Sequence, residues 1–249
     1  MPSQPGLSPI DVQRLKTACS TCSLRELCLP AGLDQRGLEQ VDRLVNRRRP
    51  IRRGDYLYRS GAGLDSLYAI RTGFMKSCVL HEDGREQVAG FHMMGDLMGL
   101  DAISSSRHMC DAVALEDSEV CEIPLAALEQ LSHDIPSLQQ HFHRIMSREI
   151  VRDYGVMLLL GTMRAEERLA AFLLNLSQRF AARGYSSTEF HLRMTREEIG
   201  SYLGLKLETI SRALSRFHEE NLIEVRNKHV KIIDMEALRG LIGQPSGAS

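Results

Sequence analysis

The sequence predicts an α+β chain with an antiparallel β-roll, then one long helix, then a helical C-terminal region. Three observations predict this fold. Eight glycines between positions 54 and 99 separate short β-prone pieces, a pattern typical of small antiparallel sandwiches and barrels. A long apolar stripe without an internal proline follows Pro136. Beyond it, two short helical patterns meet at Gly204 and lead into a hairpin pattern, which predicts a winged helix-turn-helix.

The β-prone pieces are the expected strands of the roll. They cover residues 56–58, 67–70, 74–80, 87–91 and a region from 112 to 123. The segment from His81 to Gly84 is a good hairpin turn, because Gly tolerates positive φ. Before the roll, residues 34–48 place apolar side chains such as Leu38 and Val41 on one stripe, which predicts a short amphipathic helix.

Length and composition describe an ordinary globular protein. The 249 residues permit one large or two modest domains, and 25% of them are charged. The N-terminus lacks a basic region followed by an apolar one, and the longest apolar runs are too short to span a bilayer. We therefore expect a cytoplasmic protein without membrane contact. Disulfides are rare in that compartment, so clustered cysteines there favour metal binding.

Three cysteines lie close together near the N-terminus, in the pattern Cys19-x2-Cys22-x5-Cys28. Thiols at this spacing usually serve one soft metal centre or form disulfides. Three thiolates leave a tetrahedral metal or a cubic cluster one ligand short, and any one of the other cysteines could complete the set. Those others are Cys78, Cys110 and Cys121. Redox-reactive thiols and chance clustering are the alternatives.

The stretch after Pro136 predicts a single long helix ending near Leu160. Its apolar stripe has the spacings of three and four residues that are typical of a coiled-coil seam. The stripe consists of Phe142, Met146, Ile150, Met157 and Leu160, with Asp153 in line. We expect the helix to pair with its own copy across a two-fold axis, with Ile150, Asp153 and Met157 at the contact. The alternative is a helix packed only on its own domain, with Asp153 in solvent at the edge of the seam.

The helix-turn-helix begins at Thr195, where Thr195 and Glu198 form the pattern of a capping box. The first helix ends at Gly204, and the second buries an apolar stripe. The outward face of the second helix carries Glu208, Ser211, Arg212 and Arg216. That arrangement suits a recognition helix in the major groove, where Arg pairs with guanine and Glu accepts a hydrogen bond from cytosine. An ordinary amphipathic hairpin is the alternative.

The charge balance and the flanking segments agree with a nucleic-acid face. Residues 1–163 hold 18 Lys and Arg against 21 Asp and Glu, whereas residues 164–231 hold 12 against 9. This basic bias permits binding to nucleic acid without requiring it. A helix is expected over 164–181, a strand over 190–194 and the hairpin of a wing over 222–233.

Taken together, these motifs resemble one known family over almost the whole chain. The matching pieces are Cys19-x2-Cys22-x5-Cys28-Leu-Pro, Leu67-Tyr-Ala-Ile-Arg-Thr-Gly73, Gly90-Phe-His, Val120-Cys121-Glu-Ile-Pro124, Ala165-Glu-Glu-Arg-Leu-Ala170 and Leu203-Gly-Leu-x-Leu-Glu208-Thr-Ile-Ser211-Arg212. They are similar to the cyclic-AMP receptor superfamily, in particular its fumarate-nitrate-reduction branch of anaerobic regulators. The helix-turn-helix alone would be far less specific than this combination.

The resemblance implies a cofactor, a DNA site and a set of partners. Family members hold an oxygen-labile 4Fe-4S cluster, and the matching ligands are Cys19, Cys22, Cys28 and Cys121. They form homodimers and bind double-stranded DNA at inverted repeats similar to TTGAT-N4-ATCAA, with residues matching Glu208, Ser211 and Arg212. They contact RNA polymerase through loops of the roll, and the loop from Glu82 to Arg85 is the candidate here.

The resemblance also implies a division of the chain and argues against a cyclic nucleotide. Nucleotide sensors of this class need a Gly-Glu pair and an Arg-Ser pair, whereas the corresponding stretches read Gly99-Leu-Asp and Arg107-His-Met-Cys. The implied units are a cluster-binding arm over 1–30, a β-roll sensor domain similar to cyclic-nucleotide-binding domains over 31–136, a dimerisation helix over 137–163 and a DNA-binding domain over 164–249. Cys78 and Cys110 are expected to be structural.

Three rival functions differ in testable ways. The first is a regulator of the same fold with zinc or a thiol redox switch at the cysteines, which iron analysis distinguishes. The second is an iron–sulfur electron carrier or oxidoreductase, but the sequence has no glycine-rich nucleotide loop and no catalytic triad pattern. The third, a DNA-packaging protein, would need a larger basic excess. We therefore expect a DNA-binding regulator that is not an enzyme.

Overall fold

The computed structural model describes residues 19–45, 47–81 and 84–243. In this part of the chain the helices are α1 Gln35–Leu44, α2 Leu125–Asp134, α3 Pro136–Thr162, α4 Ala165–Ala181, α5 Arg196–Leu203, α6 Leu207–Glu219 and α7 Met235–Gly240. The strands are β1 Arg47–Ile51, β2 Tyr56–Tyr58, β3 Ser66–Thr72, β4 Phe74–Leu80, β5 Glu86–Met93, β6 Leu97–Met98, β7 Asp111–Ala114, β8 Ser118–Pro124, β9 Glu189–His191, β10 Ile223–Arg226 and β11 His229–Ile232.

The strands form three antiparallel sheets, which confirms the predicted fold class. Two four-stranded sheets, ordered β1-β8-β3-β6 and β2-β7-β4-β5, make the β-roll. The third sheet, ordered β10-β11-β9, is the wing beside α5 and α6. The α3 helix joins the roll to the C-terminal region. None of the helices in the described ranges has both the length and the apolar character needed to cross a bilayer.

Two elements differ from the expectation. The helix predicted over 34–48 ends at Leu44, and the chain then enters β1 at Arg47. Because β1 lies at the edge of its sheet, it accommodates Pro50, which cannot donate a backbone hydrogen bond. The α2 helix was not expected, since its N-cap position is Pro124, which provides no side-chain cap.

Two hydrophobic cores connect the parts of the chain. One joins the cysteine segment to the roll and to α3, through Leu29, Val41, Ile123 and Leu138. The other joins the roll to the C-terminal region, since Val88 and Phe91 of β5 share a core with the helices α4 to α6. The β-roll therefore packs directly against both the long helix and the helix-turn-helix.

Candidate metal centre and nucleic-acid interface

The segment from Cys19 to Ala31 is a chain of tight turns. The Cys22 amide donates to the Cys19 carbonyl at 3.2 Å, the Cys28 amide to the Leu24 carbonyl at 3.0 Å, and the Ala31 amide to the Cys28 carbonyl at 3.1 Å. The buried side chains of Leu24 and Leu29 hold this segment against the roll. Successive turns fold this ten-residue stretch back on itself, and its three cysteines line the same cavity.

The fourth cysteine at this place is Cys121, on β8. Cys19, Cys22, Cys28 and Cys121 all line one cavity, together with apolar groups such as Val41. Cys78 and Cys110 are buried elsewhere in the roll, on β4 and just before β7. The structure therefore brings together the four cysteines that the family resemblance implied and separates the other two.

The surroundings of Cys19, Cys28 and Cys121 favour the protonated thiol when no cation is bound. Burial, and then the neighbouring Cys121 and Cys22, raise the pKa of Cys28 to about 12. Burial and a hydrogen bond with Asp42 raise the pKa of Cys19 well above its usual range, and burial also raises that of Cys121. A bound cation would reverse this balance, since coordinated thiols lose their protons.

The donor set fits an iron–sulfur cluster. Within the described residues, no three His, Cys, Asp or Glu side chains are grouped so as to hold a single metal ion. A 4Fe-4S cluster takes each thiolate on a different iron, so its four ligands must surround a space instead of converging on one point. Four cysteines line one cavity, and cysteine-only ligation is typical of such clusters.

The cysteine segment touches the long helix directly. His141 of α3 is buried, and its Nε2 lies 3.1 Å from the Cys28 carbonyl oxygen. Because a carbonyl only accepts, Nε2–H is the donor. Burial lowers the pKa of His141 and favours the neutral ring. The Cys28 backbone is therefore linked directly to α3 by a hydrogen bond.

The two halves of α3 have different surroundings. In the first half, Leu138, His141 and Ile145 are buried against the roll. In the second half, five large apolar side chains are exposed: Ile150, Val151, Tyr154, Met157 and Leu158. At about 100° per residue these five lie on one arc of the helix, and Asp153 lies at its edge. The expected seam named Ile150 and Met157 but missed Val151, Tyr154 and Leu158, whose spacing of three and four was a second visible stripe.

The helix-turn-helix has the expected internal geometry. The Glu198 amide donates to Thr195 Oγ1 at 3.1 Å, and the Thr195 amide donates to Glu198 Oε2 at 2.7 Å, so the capping box is present. Gly204 has φ of 63° at the end of α5. A Cβ on Gly200 would lie 2.6 Å from the Leu205 carbonyl oxygen, so the tight turn also requires glycine there.

The four side chains predicted on the outer face of α6 differ in their hydrogen-bond and ion-pair partners. Glu208 and Arg212 are exposed, and Arg212 forms no hydrogen bond or ion pair with any other part of the described chain. Ser211 Oγ accepts from Arg196 Nη1 at 3.3 Å. Arg216 is bound by two carboxylates, with Glu166 at 2.7 Å and Glu220 at 2.8 Å.

These features define a class: a DNA-binding transcription regulator with a β-roll sensor and a winged helix-turn-helix. Family models agree, since the Crp-like helix-turn-helix domain matches residues 167–241 and the cyclic nucleotide-binding domain matches residues 48–134. The chain belongs to the CRP/FNR family of transcription regulators.

Individual relatives support this assignment over most of the chain. The transcriptional regulatory protein btr of Bordetella pertussis is 51% identical over 92% of this chain and 94% of its own length. The fumarate and nitrate reduction regulatory protein of Escherichia coli K12 is 49% identical over 90% of both chains. The structure of FixK2 from Bradyrhizobium japonicum has a TM-score of 0.73 and 30% identity, over 81% of this chain and 98% of that one.

Proposed function

We propose that this regulator senses oxygen through a 4Fe-4S cluster held by Cys19, Cys22, Cys28 and Cys121. The observation that carries the proposal is that these four cysteines line one cavity. The backbone carbonyl of one of them, Cys28, also accepts a hydrogen bond from His141 of α3. The relatives called fumarate and nitrate reduction regulatory proteins match this chain at about half of the aligned positions. When bound, the cluster supplies a centre that oxygen destroys.

The chain's own residues would transmit the state of the cavity to α3. Cys19, Cys22 and Cys28 would hold the cluster, and the turns between them would then be ordered, which would fix the Cys28 carbonyl that accepts from His141. Leu29, one residue further, is buried in the same core as Leu138 and Ile145 of α3. An ordered segment therefore supports the packing of α3, and a disordered one withdraws that support.

The proposed output is a homodimer formed by the exposed arc of α3. The arc contains Ile150 and Met157 and is extended by Val151, Tyr154 and Leu158. Across a two-fold axis each residue near the axis meets its own copy, and Asp153 at the edge of the arc would add carboxylate repulsion. That repulsion keeps the contact weak until the cluster-ordered form supports it.

A dimer would present two α6 helices to an inverted repeat about one DNA turn apart. We propose that Glu208, Ser211 and Arg212 read bases of a site similar to TTGAT-N4-ATCAA. Arg216 lies on the same face but is held by Glu166 and Glu220, so it is better placed to meet phosphate than a base. We also propose that RNA polymerase is contacted by loops of the roll; of the candidate loop, Glu82 and Asp83 lie outside the described residues.

No cyclic nucleotide is needed for this function. Asp101 and Cys110 lie in the stretches that correspond to the ribose and phosphate contacts, and they bond each other, with 3.5 Å between Cys110 Sγ and Asp101 Oδ2. Arg107 donates to the Gly61 carbonyl at 2.7 Å. The ring of His108 stacks on Tyr58 at 3.6 Å between centroids. These side chains bind other groups of the protein, which supports the proposal that no cyclic nucleotide is bound here.

The test is an absorption spectrum of anaerobically purified protein, with iron and sulfide counts, repeated after adding air. Serine at 19, 22, 28 or 121, one at a time, should abolish iron retention and anaerobic DNA binding. Serine at 78 or 110 is the matched control and should leave most of both. Zinc without iron, or iron lost from the 110 variant but kept by the 121 variant, would contradict the proposed ligand set.

A further inference from the structure

Lys76 lies at the contact between the β-roll and the helix-turn-helix. It is on β4 and only 8% exposed. Its Nζ lies 2.5 Å from Glu86 Oε1 on the neighbouring strand β5 and 3.1 Å from Glu198 Oε1 on α5. One buried ammonium group therefore joins two carboxylates, one from the roll and one from the helix-turn-helix.

Glu198 has two structural contacts at once. Its Oε2 accepts from the Thr195 amide and completes the capping box of α5, while its Oε1 faces Lys76. Hydrogen bonds from Thr195 and Lys76 outweigh the effect of burial and lower the pKa of Glu198 below its usual range. The residue that starts the first helix of the helix-turn-helix is thus the same residue that fastens it to the roll.

A second contact between α5 and the roll covers the edge of a sheet. β5 is an edge strand of its sheet, and edge strands carry unpaired backbone groups. The Val88 amide donates to Ser201 Oγ of α5 at 2.8 Å, and Ser201 Oγ donates to the Glu86 carbonyl at 3.1 Å. A single hydroxyl on α5 therefore satisfies both a donor and an acceptor of the β5 backbone.

Apolar and ionic contacts extend the same interface. The ring of Phe91 on β5 lies 5.2 Å from that of Tyr202 and 5.9 Å from that of Phe172, centroid to centroid. Asp96, after β5, binds Arg179 on α4 at 2.5 Å and Arg183, in the turn that follows α4, at 2.7 Å. Residues of the outer face of α6, such as Glu208 and Arg212, stay exposed. The interface holds the helix-turn-helix without covering its candidate DNA face.

We propose that Lys76 is a positioning residue for DNA recognition, which holds α5, and with it α6, at a fixed angle to the roll and to α3. A dimer reads both half-sites only when its two recognition helices have the spacing of the inverted repeat. The inference rests on the proposed function, since it assumes a dimer that reads such a repeat. Beyond that function, we infer that the angle of each recognition helix is fixed by the roll of the same chain, through contacts that involve Glu86, Glu198 and Ser201.

The charge on Lys76 is what makes the contact specific. The Lys76 side chain is 11% exposed, against 18% for Glu198 and 42% for Glu86. Removing the ammonium group therefore leaves the partly buried carboxylate of Glu198 without its ion-pair partner, which is destabilising at that point. Lys76→Met keeps an apolar side chain of similar length and removes the charge. Lys76→Arg keeps the charge and can reach both carboxylates. Glu198→Gln keeps the capping box, which accepts Gln as well as Glu, and removes the ion pair.

The experiment uses the full chain, loaded anaerobically, and measures DNA affinity against spacer length. We expect Lys76→Met and Glu198→Gln to lose about fivefold or more in affinity for the repeat of correct spacing. The affinity of these variants for repeats lengthened or shortened by one base pair should fall much less, so their preference for the correct spacing should fall. Lys76→Arg should restore it. Sedimentation should show an unchanged dimer, and hydrogen exchange should show faster exchange in residues 86–93 and 196–203.

Two controls make the result decisive. Ser201→Ala perturbs the same interface without touching a charge and should reduce the spacing preference in the same direction. Equal loss of affinity at every spacing, or unchanged exchange in both segments, would overturn the positioning role, and so would tighter DNA binding, because the contact would then be inhibitory. If the unaltered protein binds no such repeat, the proposed function fails, while the exchange measurement still tests the contact.

Discussion

Arg212 and Arg216 lie about one turn apart on α6 and differ in their surroundings. Arg216 is bound by Glu166 and Glu220, which raise the pKa of its guanidinium and favour its charged form. Arg212 has no such carboxylate partner within the described chain. A guanidinium free of protein partners can donate both of its parallel N–H groups to guanine. Similar residues on one helix face therefore suit different functions.

Arg212→Ala should weaken binding to the specific repeat by about 5- to 150-fold at fixed salt, because a bidentate Arg–guanine contact provides about 1–3 kcal/mol. Binding to scrambled DNA should fall much less. Arg216→Ala is the matched variant and should weaken both DNAs alike. Competition titrations measure both effects, and equal losses for Arg212→Ala on the two DNAs would show that it contacts only phosphate.

His92 gives the fold an acid-sensitive point. Its Nδ1 faces Arg152 of α3 at 3.5 Å, and its Nε2 lies 3.0 Å from Ser77 Oγ on β4. Burial and the nearby Arg152 lower its pKa to about 3, although Asp96 acts in the opposite direction. The folded ring stays neutral where the unfolded ring, with a pKa of about 6.5, takes a proton. The contribution of the neutral His92 ring to the free energy of unfolding is therefore fully present above pH 6.5. It is lost as the pH falls from 6.5 towards the pKa of the folded ring.

Urea unfolding of the metal-free protein at pH 7 and pH 5 tests this. His92→Gln has no titrating ring, so it should lose about 2 kcal/mol less free energy of unfolding over that interval than the unaltered protein. Equal losses in the two proteins would show that His92 is not the group responsible.

At the scale of the element, α3 joins a buried half to an exposed half. The first half is fixed by the roll, while the second exposes five large apolar side chains to solvent. Contiguous exposed apolar surface on a soluble protein marks an interaction site. We propose that the acidic Asp153 at the edge of this arc weakens a contact between two copies.

Asp153→Ala should dimerise in air, without the cluster. Two carboxylates about 5 Å apart repel by roughly 0.8 kcal/mol in water and 3 kcal/mol at an effective dielectric of 20. Because Asp153 is exposed, the dimer should tighten by an amount near the lower figure, about fourfold. Sedimentation at micromolar concentration measures it. Leu158→Asp is the opposite variant and should weaken the dimer. A purely monomeric Asp153→Ala protein with normal folding would remove Asp153 from the mechanism.

Strong local patterns predicted most elements, whereas contacts between elements could not be read from sequence. The glycine-separated strands, the capping box at Thr195 and the inward stripe of α6 were visible because each is a short-range signal. α2 was missed because Pro124 gives it no side-chain cap. Lys76 reads as an ordinary strand lysine, since its carboxylate partners on β5 and α5 are fixed only by the packing of the roll against α5.

At the scale of the molecule, the cavity, α3 and the helix-turn-helix form one connected structure. The Cys28 carbonyl is hydrogen-bonded to His141 of α3. In the roll, Asp96 forms an ion pair with α4 and Lys76 forms one with α5. Coupling between sites requires an element that both of them bias. Here the roll contacts all three, and we propose that packing and hydrogen bonds transmit the state of the cysteine segment through it.

His141→Phe should separate cluster loading from dimerisation. The ring keeps its apolar contacts in the core but no longer donates to the Cys28 carbonyl. Iron and sulfide counts should stay close to those of the unaltered protein, while the anaerobic dimer should weaken by about 5- to 150-fold, the usual range of coupling between sites. His143→Phe, on the same helix, is the matched control. A full-strength dimer in His141→Phe would show that the signal bypasses this hydrogen bond.

The placement of Cys121 also sets an order of events during synthesis. The turns from Cys19 to Cys28 leave the ribosome early, whereas the wall of the cavity formed by β8 is made only after the strands β1 to β7. Contacts between distant parts of a chain form late, because their loop must first close. Nascent chains that end before β8 therefore hold three of the cavity's thiols without the fourth, and delivery of the proposed cluster would have to await the nearly complete roll. Arrested chains released before and after β8 should differ sharply in the iron they retain.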